Sequence, residues 1–259
     1  MEAYTDFASV YDIFMDETPY EAWSANVQAA LERHQIVKGL VLDLGCGTGT
    51  LTELLSAAGF DMIGIDSSPE MLGRAIEKRD RSEHDILYLC QDMREFELYG
   101  TVQAVVSLCD SVNYILEPSE LETVFCLVNN YLDPGGIFFF DFNTDWKYQM
   151  IGDAVIAENR ETCSFIWENE YDRESRINEY EVTVFTEEAD GRYRKFTETH
   201  EQRGYTLSEI RELLEAAGMS VLETADADTN GPVRETSERI YVTARESGKT
   251  AAAENGDRG

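Results

Sequence analysis

The chain has 259 residues, 43% of them apolar, and a formal net charge of −30 from 51 acidic and 21 basic side chains. That length and apolar share call for one α/β domain with an insertion and exclude a disordered polymer. The charge excludes a nucleic-acid partner, because a phosphate backbone would be repelled and the nearest approach to a basic block is Arg74, Lys78, Arg79 and Arg81.

Ahead of any strand, Tyr4, Phe7, Val10, Tyr11 and Phe14 recur at spacings of three and four, the stripe of an amphipathic helix. Thr18-Pro19 opens a second helix that should run to about residue 34. Residues 40–42 form an apolar strand, followed by Asp43-Leu44-Gly45-Cys46-Gly47-Thr48-Gly49. A helix over residues 50–58 stops at Gly59, and a strand over 62–65 closes on Asp66. Strand, glycine turn, helix, strand and acid make one βαβ unit with a nucleotide-type site at its first turn. Ser68-Pro69-Glu70 starts a helix to about residue 80. Residues 86–90 are a strand ending at Gln91-Asp92, and 102–108 an apolar strand of the buried parallel kind. Ser119 with Glu122 reads as a capping box for a helix to residue 132. Asp133-Pro134-Gly135-Gly136 is a turn before a strand at 137–140.

From about residue 145 to 204 the chain becomes rich in aromatic and charged β-type segments, at 164–167, 180–185 and 193–199. Asp190-Gly191 joins the last two. This reads as a three-stranded antiparallel insertion over residues 146–204, lying as a lid on the mouth of the sheet. The core then resumes over 205–246. Thr206 with Glu209 forms a capping box for a helix ending at Gly218, and strands follow at 220–224 and 239–244. Residues 247–259 are small and polar and should be disordered. The five cysteines form no C-x-x-C pair and read as reduced thiols, and no metal site is expected. With no long apolar run and no signal-peptide pattern, the expectation is a cytoplasmic protein that does not engage a membrane.

The glycine spacing is G-x-G-x-G with Thr50 in the last place, not the dinucleotide G-x-G-x-x-G/A. Charge discriminates further. Asp43, Asp66, Asp92 and Asp110 stand at the ends of successive strands, which a parallel sheet gathers around one crevice. Such a ring of acids repels a pyrophosphate and attracts a ligand carrying a sulfonium and an ammonium. The run Val41-Leu42-Asp43-Leu44-Gly45-Cys46-Gly47-Thr48-Gly49 resembles motif I of class I S-adenosylmethionine-dependent methyltransferases. Gly64-Ile65-Asp66-Ser67-Ser68-Pro69-Glu70-Met71-Leu72 resembles their second-strand motif, and Gln91-Asp92-Met93-Arg94 the segment that meets the adenine. The resemblance covers residues 36–145. It implies a Rossmann-like sheet with helices on both faces and an N-terminal helical cap. It also implies a cofactor shell of Tyr11, Tyr20, Asp43, Gly45, Cys46, Gly47, Asp66, Ser67, Met71, Asp92, Met93 and Leu108. The bland alternative packs the N-terminal aromatics on the sheet.

Transfer of a methyl group from a sulfonium is an in-line displacement that proximity and water exclusion accelerate. An amine acceptor needs only to be unprotonated, whereas a hydroxyl or carbon acid needs a base. The loop after the fourth strand and the aromatic N-terminus resemble those of amino-sugar N-methyltransferases. That likeness implies a small-molecule acceptor, with Tyr4 and Asn113 as positioning groups; some of those enzymes place a His about where Asn113 falls. His200 is the one histidine in a setting that suits a base. Two other readings remain open at this point: a non-catalytic module that binds S-adenosylmethionine, and an NAD-dependent oxidoreductase. Whether the chain is a monomer or a homodimer is not legible.

Overall fold

The computed structural model describes residue 8 and residues 10–16 and 18–249. Tyr4 and Phe7 of the N-terminal stripe, and residues 250–259 of the expected tail, lie outside the described residues. The elements in order are α1 (Tyr11–Phe14), α2 (Tyr20–Arg33), β1 (Gly39–Leu44), α3 (Thr50–Ala57), β2 (Phe60–Asp66), α4 (Pro69–Ser82), β3 (Ile86–Cys90) and β4 (Val102–Ser107). A 3₁₀ turn (Ser111–Tyr114) precedes α5 (Pro118–Tyr131), β5 (Leu132–Asn143) and α6 (Asp145–Ile151). Then come β6 (Val155–Asn159), β7 (Cys163–Asp172), β8 (Ile177–Glu187), β9 (Tyr193–Arg203), α7 (Leu207–Ala216), β10 (Met219–Asp226) and β11 (Arg239–Glu246).

The seven-stranded sheet runs β10-β11-β5-β4-β1-β2-β3. Its strands are parallel from β5 to β3, and β11 joins β5 antiparallel. β1 lies between β2 and β4, so the winding reverses there and the carboxyl ends of these strands leave a crevice. Successive side chains point to opposite faces. Val41, Ala104, Val106 and Phe139 pack with α2 and α3, while Leu42, Leu44, Val105, Phe138 and Phe140 pack with α5 and α7. Covering both faces is why these strands read as continuous apolar runs. Phe138, Phe140 and Phe142 have no exposed surface, each a burial worth about 1.5–3 kcal/mol.

The insertion leaves the core at Thr144 and returns at Tyr205, which form a bridge, and the Asp145 amide donates to the Tyr205 carbonyl at 3.1 Å. A Cβ on Gly204 would stand 2.8 Å from Asp145 Cα, so the two necks touch only because that residue has no side chain. The insertion is a four-stranded sheet, β6-β7-β8-β9, with α6 ahead of it, where three strands were expected. β6 was missed because only Val155, Ile156 and Ala157 mark it, too short a run to carry a period. α1 packs on this smaller sheet: Val10, Tyr11 and Phe14 meet Val182, Val184, Phe165 and Tyr180.

Two further expectations need correction. The capping box at Ser119 does not form, because α5 starts one residue earlier at Pro118 with Glu117 as N-cap. The turn at Asp133-Pro134-Gly135-Gly136 loops out within β5: Val102 pairs with Leu132, and Ala104 already pairs with Ile137. Residues 247–249, placed in the disordered tail, are bound to the core, with the Lys249 ammonium donating to the Asn129, Asn130 and Leu132 carbonyls. Among the described residues no helix is long and apolar enough to cross a membrane. None of their His, Cys, Asp and Glu side chains gather into a group of three that would hold a metal ion.

Candidate active site

The glycine turn after β1 is held by its own amides. Gly45 and Cys46 donate to the Ile65 carbonyl at 2.8 and 2.9 Å, Gly49 donates to Cys46, and Gly47 donates to Asp66 Oδ2 at 2.8 Å. Phosphate-binding turns instead aim such amides at the ligand. This turn has used four of them internally, which is the physical reason a pyrophosphate is not its ligand. Gly47 has φ +54°, a left-handed backbone, and a Cβ there would meet no atom within 4 Å. It therefore faces open space, and a ligand can approach the main chain there.

That space is a cavity of about 570 Å³ at the ends of β1, β2, β3 and β4. All of the residues that the sequence resemblance placed around the cofactor line it: Tyr11, Tyr20, Asp43, Gly45, Cys46, Gly47, Asp66, Ser67, Met71, Asp92, Met93 and Leu108. Trp23, Gln91, Arg94, Cys109, Ser111 and Tyr114 line it too and were not on that shell. Their signal was position alone, since they neighbour motif residues or sit one helical turn from Tyr20.

The four acids do not act alike. Arg94 closes a fork on Asp92, with Nη2 to Oδ2 at 2.6 Å and Nε to Oδ1 at 3.0 Å, and holds its carboxyl below the usual range. Asp110 lies off the cavity, bound to Arg239 Nη2 at 2.5 Å and Gln202 Nε2 at 2.6 Å. Burial alone would raise the Asp110 carboxyl, but Arg239 beside it, with Lys147 and Gln202, holds it low. The expected ring of four acids is therefore two. Asp43 and Asp66 have no cationic partner among the described residues. Burial raises both, Asp43 to about 7 against the help of the Thr52 hydroxyl at 2.6 Å. For Asp66 the amides of Ser68 and Gly47 oppose that rise by stabilising its charged form.

The catalytic candidates fare differently. Asn113 has no exposed surface, and its amide donates to the Asn143 and Arg203 carbonyls at 2.8 and 2.7 Å while its oxygen accepts from the Asn143 amide. It ties the 3₁₀ turn to β5 and β9 and is not among the residues that line the cavity. His200 is 2% exposed, on β9. It stacks on Tyr180 at 4.9 Å, with Nδ1 3.3 Å from the Tyr114 hydroxyl and Nε2 3.8 Å from Glu198. Burial lowers its pKa to about 4 despite Glu198, so it is neutral at pH 7 and a poor base. It reaches the cavity only through Tyr114. Tyr4 lies outside the described residues.

The cap is latched to the glycine turn from the far side. Asp12 of α1 accepts from the Thr48 hydroxyl at 2.7 Å and pairs with Lys78 of α4 at 2.8 Å. Tyr11 sets its hydroxyl 3.7 Å from Cys109 Sγ, whose thiol burial pushes up to about 12. Of the described part of the stripe, Phe14 packs on the smaller sheet, not on the seven-stranded one that the bland alternative named, and Tyr11 lines the cavity.

The likenesses to known proteins agree with this geometry. A methyltransferase domain model matches residues 41–136. YqeM of Bacillus subtilis, which carries a methyltransferase name, is 38% identical over 249 residues, 94% of this chain and 97% of its own. The dTDP-3-amino-3,4,6-trideoxy-alpha-D-glucopyranose N,N-dimethyltransferase of Streptomyces venezuelae is 26% identical over 222 residues, 83% of this chain and 91% of its own. The crystal structure of an S-adenosylmethionine-dependent methyltransferase from Clostridium acetobutylicum superposes with a TM-score of 0.86 at 28% identity. It covers 95% of this chain and all of its own.

Proposed function

The chain belongs to the S-adenosylmethionine-dependent methyltransferases, and from that premise we propose that it methylates an amine nitrogen of a small molecule. The observation that carries this reading is that neither Cys109 nor His200 offers a usable base beside the cavity. Burial keeps the Cys109 thiol protonated, and His200, buried behind Tyr114 with its pKa pushed down to about 4, is too weak a base to activate a hydroxyl. An oxygen or carbon acceptor would require a base that these groups do not offer, whereas the free base of an amine attacks unaided. The similarity to an enzyme named for a dimethylated amino sugar points the same way.

In this reading Asp66 takes the ribose hydroxyls and Met93 with Asp92 flanks the adenine. Asp43 lies under the ammonium end of the cofactor, and the Gly45–Gly47 backbone faces its amino-acid arm. Bound there, S-adenosylmethionine supplies the electrophilic methyl group. Tyr11 and Tyr20 exclude water above it, and the latch through Asp12 keeps them seated. The test is transfer of an isotope-labelled methyl group to a panel of amino-sugar nucleotides, amino acids and simple amines, with hydroxyl and carboxyl compounds alongside, followed by mass spectrometry. Label on nitrogen supports the reading, and label confined to oxygen or carbon overturns it.

A further inference from the structure

Four aromatic side chains share the cavity wall: Tyr11, Tyr20, Trp23 and Tyr114. Contacts on more than one element hold their rings in place. Tyr20 packs edge-on to Trp23 at 5.4 Å, Trp23 carries the Arg239 guanidinium 5.4 Å from its ring centre, and the Tyr114 hydroxyl is 2.6 Å from that of Tyr180. Arg94 is the one basic residue on the wall of this cavity among the described residues, and Asp92 and Glu120 engage it. The same wall carries Asp43 and Asp66, without a cationic partner among the described residues, and both are committed to the cofactor in the reading above. What is left to face an acceptor is the aromatic surface.

We propose that the aromatic wall is the acceptor subsite and that it is built for nitrogen bearing positive charge, which makes the substrate class alkylamines, including amines that already carry a methyl group. This inference rests on the amine reading above. During transfer the nitrogen lone pair forms the new C–N bond, and the methyl–sulfur bond breaks with its electron pair left on sulfur. The positive charge therefore moves from sulfur to nitrogen, and one proton leaves the product ammonium for solvent water. Aromatic faces stabilise charge where it arrives. A neutral ether or ester product would gain nothing from such a wall. The first product is itself an alkylammonium, so the same wall suits it as the substrate of a second transfer.

The test needs no knowledge of the acceptor. The full chain, saturated with S-adenosylhomocysteine and in enough salt to screen its surface acids, is titrated with choline and with 3,3-dimethylbutan-1-ol. The two have the same shape, with and without the charge. Calorimetry and tryptophan fluorescence read the binding. Choline should bind saturably and at least about fivefold tighter than the alcohol. Trp23→Leu and Tyr114→Leu should each erase most of that preference, and Tyr114→Phe, which keeps the ring, should retain it. Equal binding, no binding of either probe, or a preference that survives both Leu variants overturns the inference. Should a Leu variant fail to fold, the two-probe comparison on the unaltered chain and on Tyr114→Phe decides alone. Failure of the amine reading would instead appear as label on oxygen or carbon in the transfer screen, so the two failures are distinct.

Discussion

Asp66 shows how one side chain serves both the fold and the ligand. Its two oxygens hold the Gly47 and Ser68 amides at 2.8 and 2.9 Å, so the carboxylate that faces the cavity also shapes the turn. Asp66→Ala should weaken S-adenosylmethionine binding by about 1.5–3 kcal/mol, the scale of charge-assisted hydrogen bonds. Unchanged affinity in a calorimetric titration would remove the ribose from this position. Asp43 carries a pH signature. Its folded pKa of about 7 exceeds the ordinary 3.8, so the folded chain binds a proton that the unfolded chain has lost between those values. The stability this contributes is present at low pH and is lost as pH rises through that window, by up to about 4 kcal/mol. A bound cation favours the charged carboxylate and opposes that loss. Cofactor affinity should therefore rise from about pH 5 to 7 and then level off, with proton release detectable in buffers of different ionisation enthalpy. Asp43→Asn should flatten the profile, and a profile that stays steep in that variant would count against Asp43 as the titrating group.

Among the elements, the antiparallel sheet is tied to the core by polar links rather than by a shared apolar core. Tyr148 of α6 donates to Gln202 of β9 at 2.8 Å, and Gln202 donates to Asp110, which Arg239 holds. Arg176 closes a fork on Glu209, the same residue that completes the capping box of α7. His200 lies inside this sheet with its pKa lowered by burial to about 4. The sign is opposite to that of Asp43. Its stability contribution is fully present above the ordinary value of about 6.5 and is lost as pH falls toward 4, by roughly 3 kcal/mol. Amide exchange in β8 and β9 should therefore accelerate on mild acidification before exchange in β1 and β4 does. His200→Gln should remove that difference, and simultaneous opening of both sheets would show that His200 does not govern the smaller one.

Over the whole molecule, the charge of −30 is distributed so that like charges meet. On one face of the smaller sheet Glu168 pairs directly across from Glu181, and Glu179 from both Glu170 and Glu201, all exposed. Such pairs are unfavourable by a few tenths of a kcal/mol or more each. Salt screens them over about 10 Å at 0.1 M. The melting temperature should thus rise by several degrees between about 0.02 and 0.5 M sodium chloride. A flat or falling response in differential scanning calorimetry would mean that the surface acids contribute little to self-repulsion.

The βαβ unit, the glycine turn and the acids at the strand ends were legible because each depends on residues close together in the chain: Asp43, Gly47 and Asp66 announce their positions by spacing alone. The capping box at Thr206 and the helix start at Ser68 were equally local. Long-range partners decided the rest. Arg94 stands two residues from Asp92, but nothing near Asp110 in the sequence says that Arg239, 129 residues away, holds it. The carbonyls that hold the Asn113 amide, on Asn143 and Arg203, are 30 and 90 residues away and leave no mark near it in the sequence. The burial beside Tyr180 and Tyr114 that lowers the His200 pKa to about 4, and so weakens it as a base, is likewise set by distant residues. Periodicity and spacing report how a residue sits on its own strand or turn. Which charges stay unpaired, and therefore which can act on a ligand, depends on what the fold brings against them.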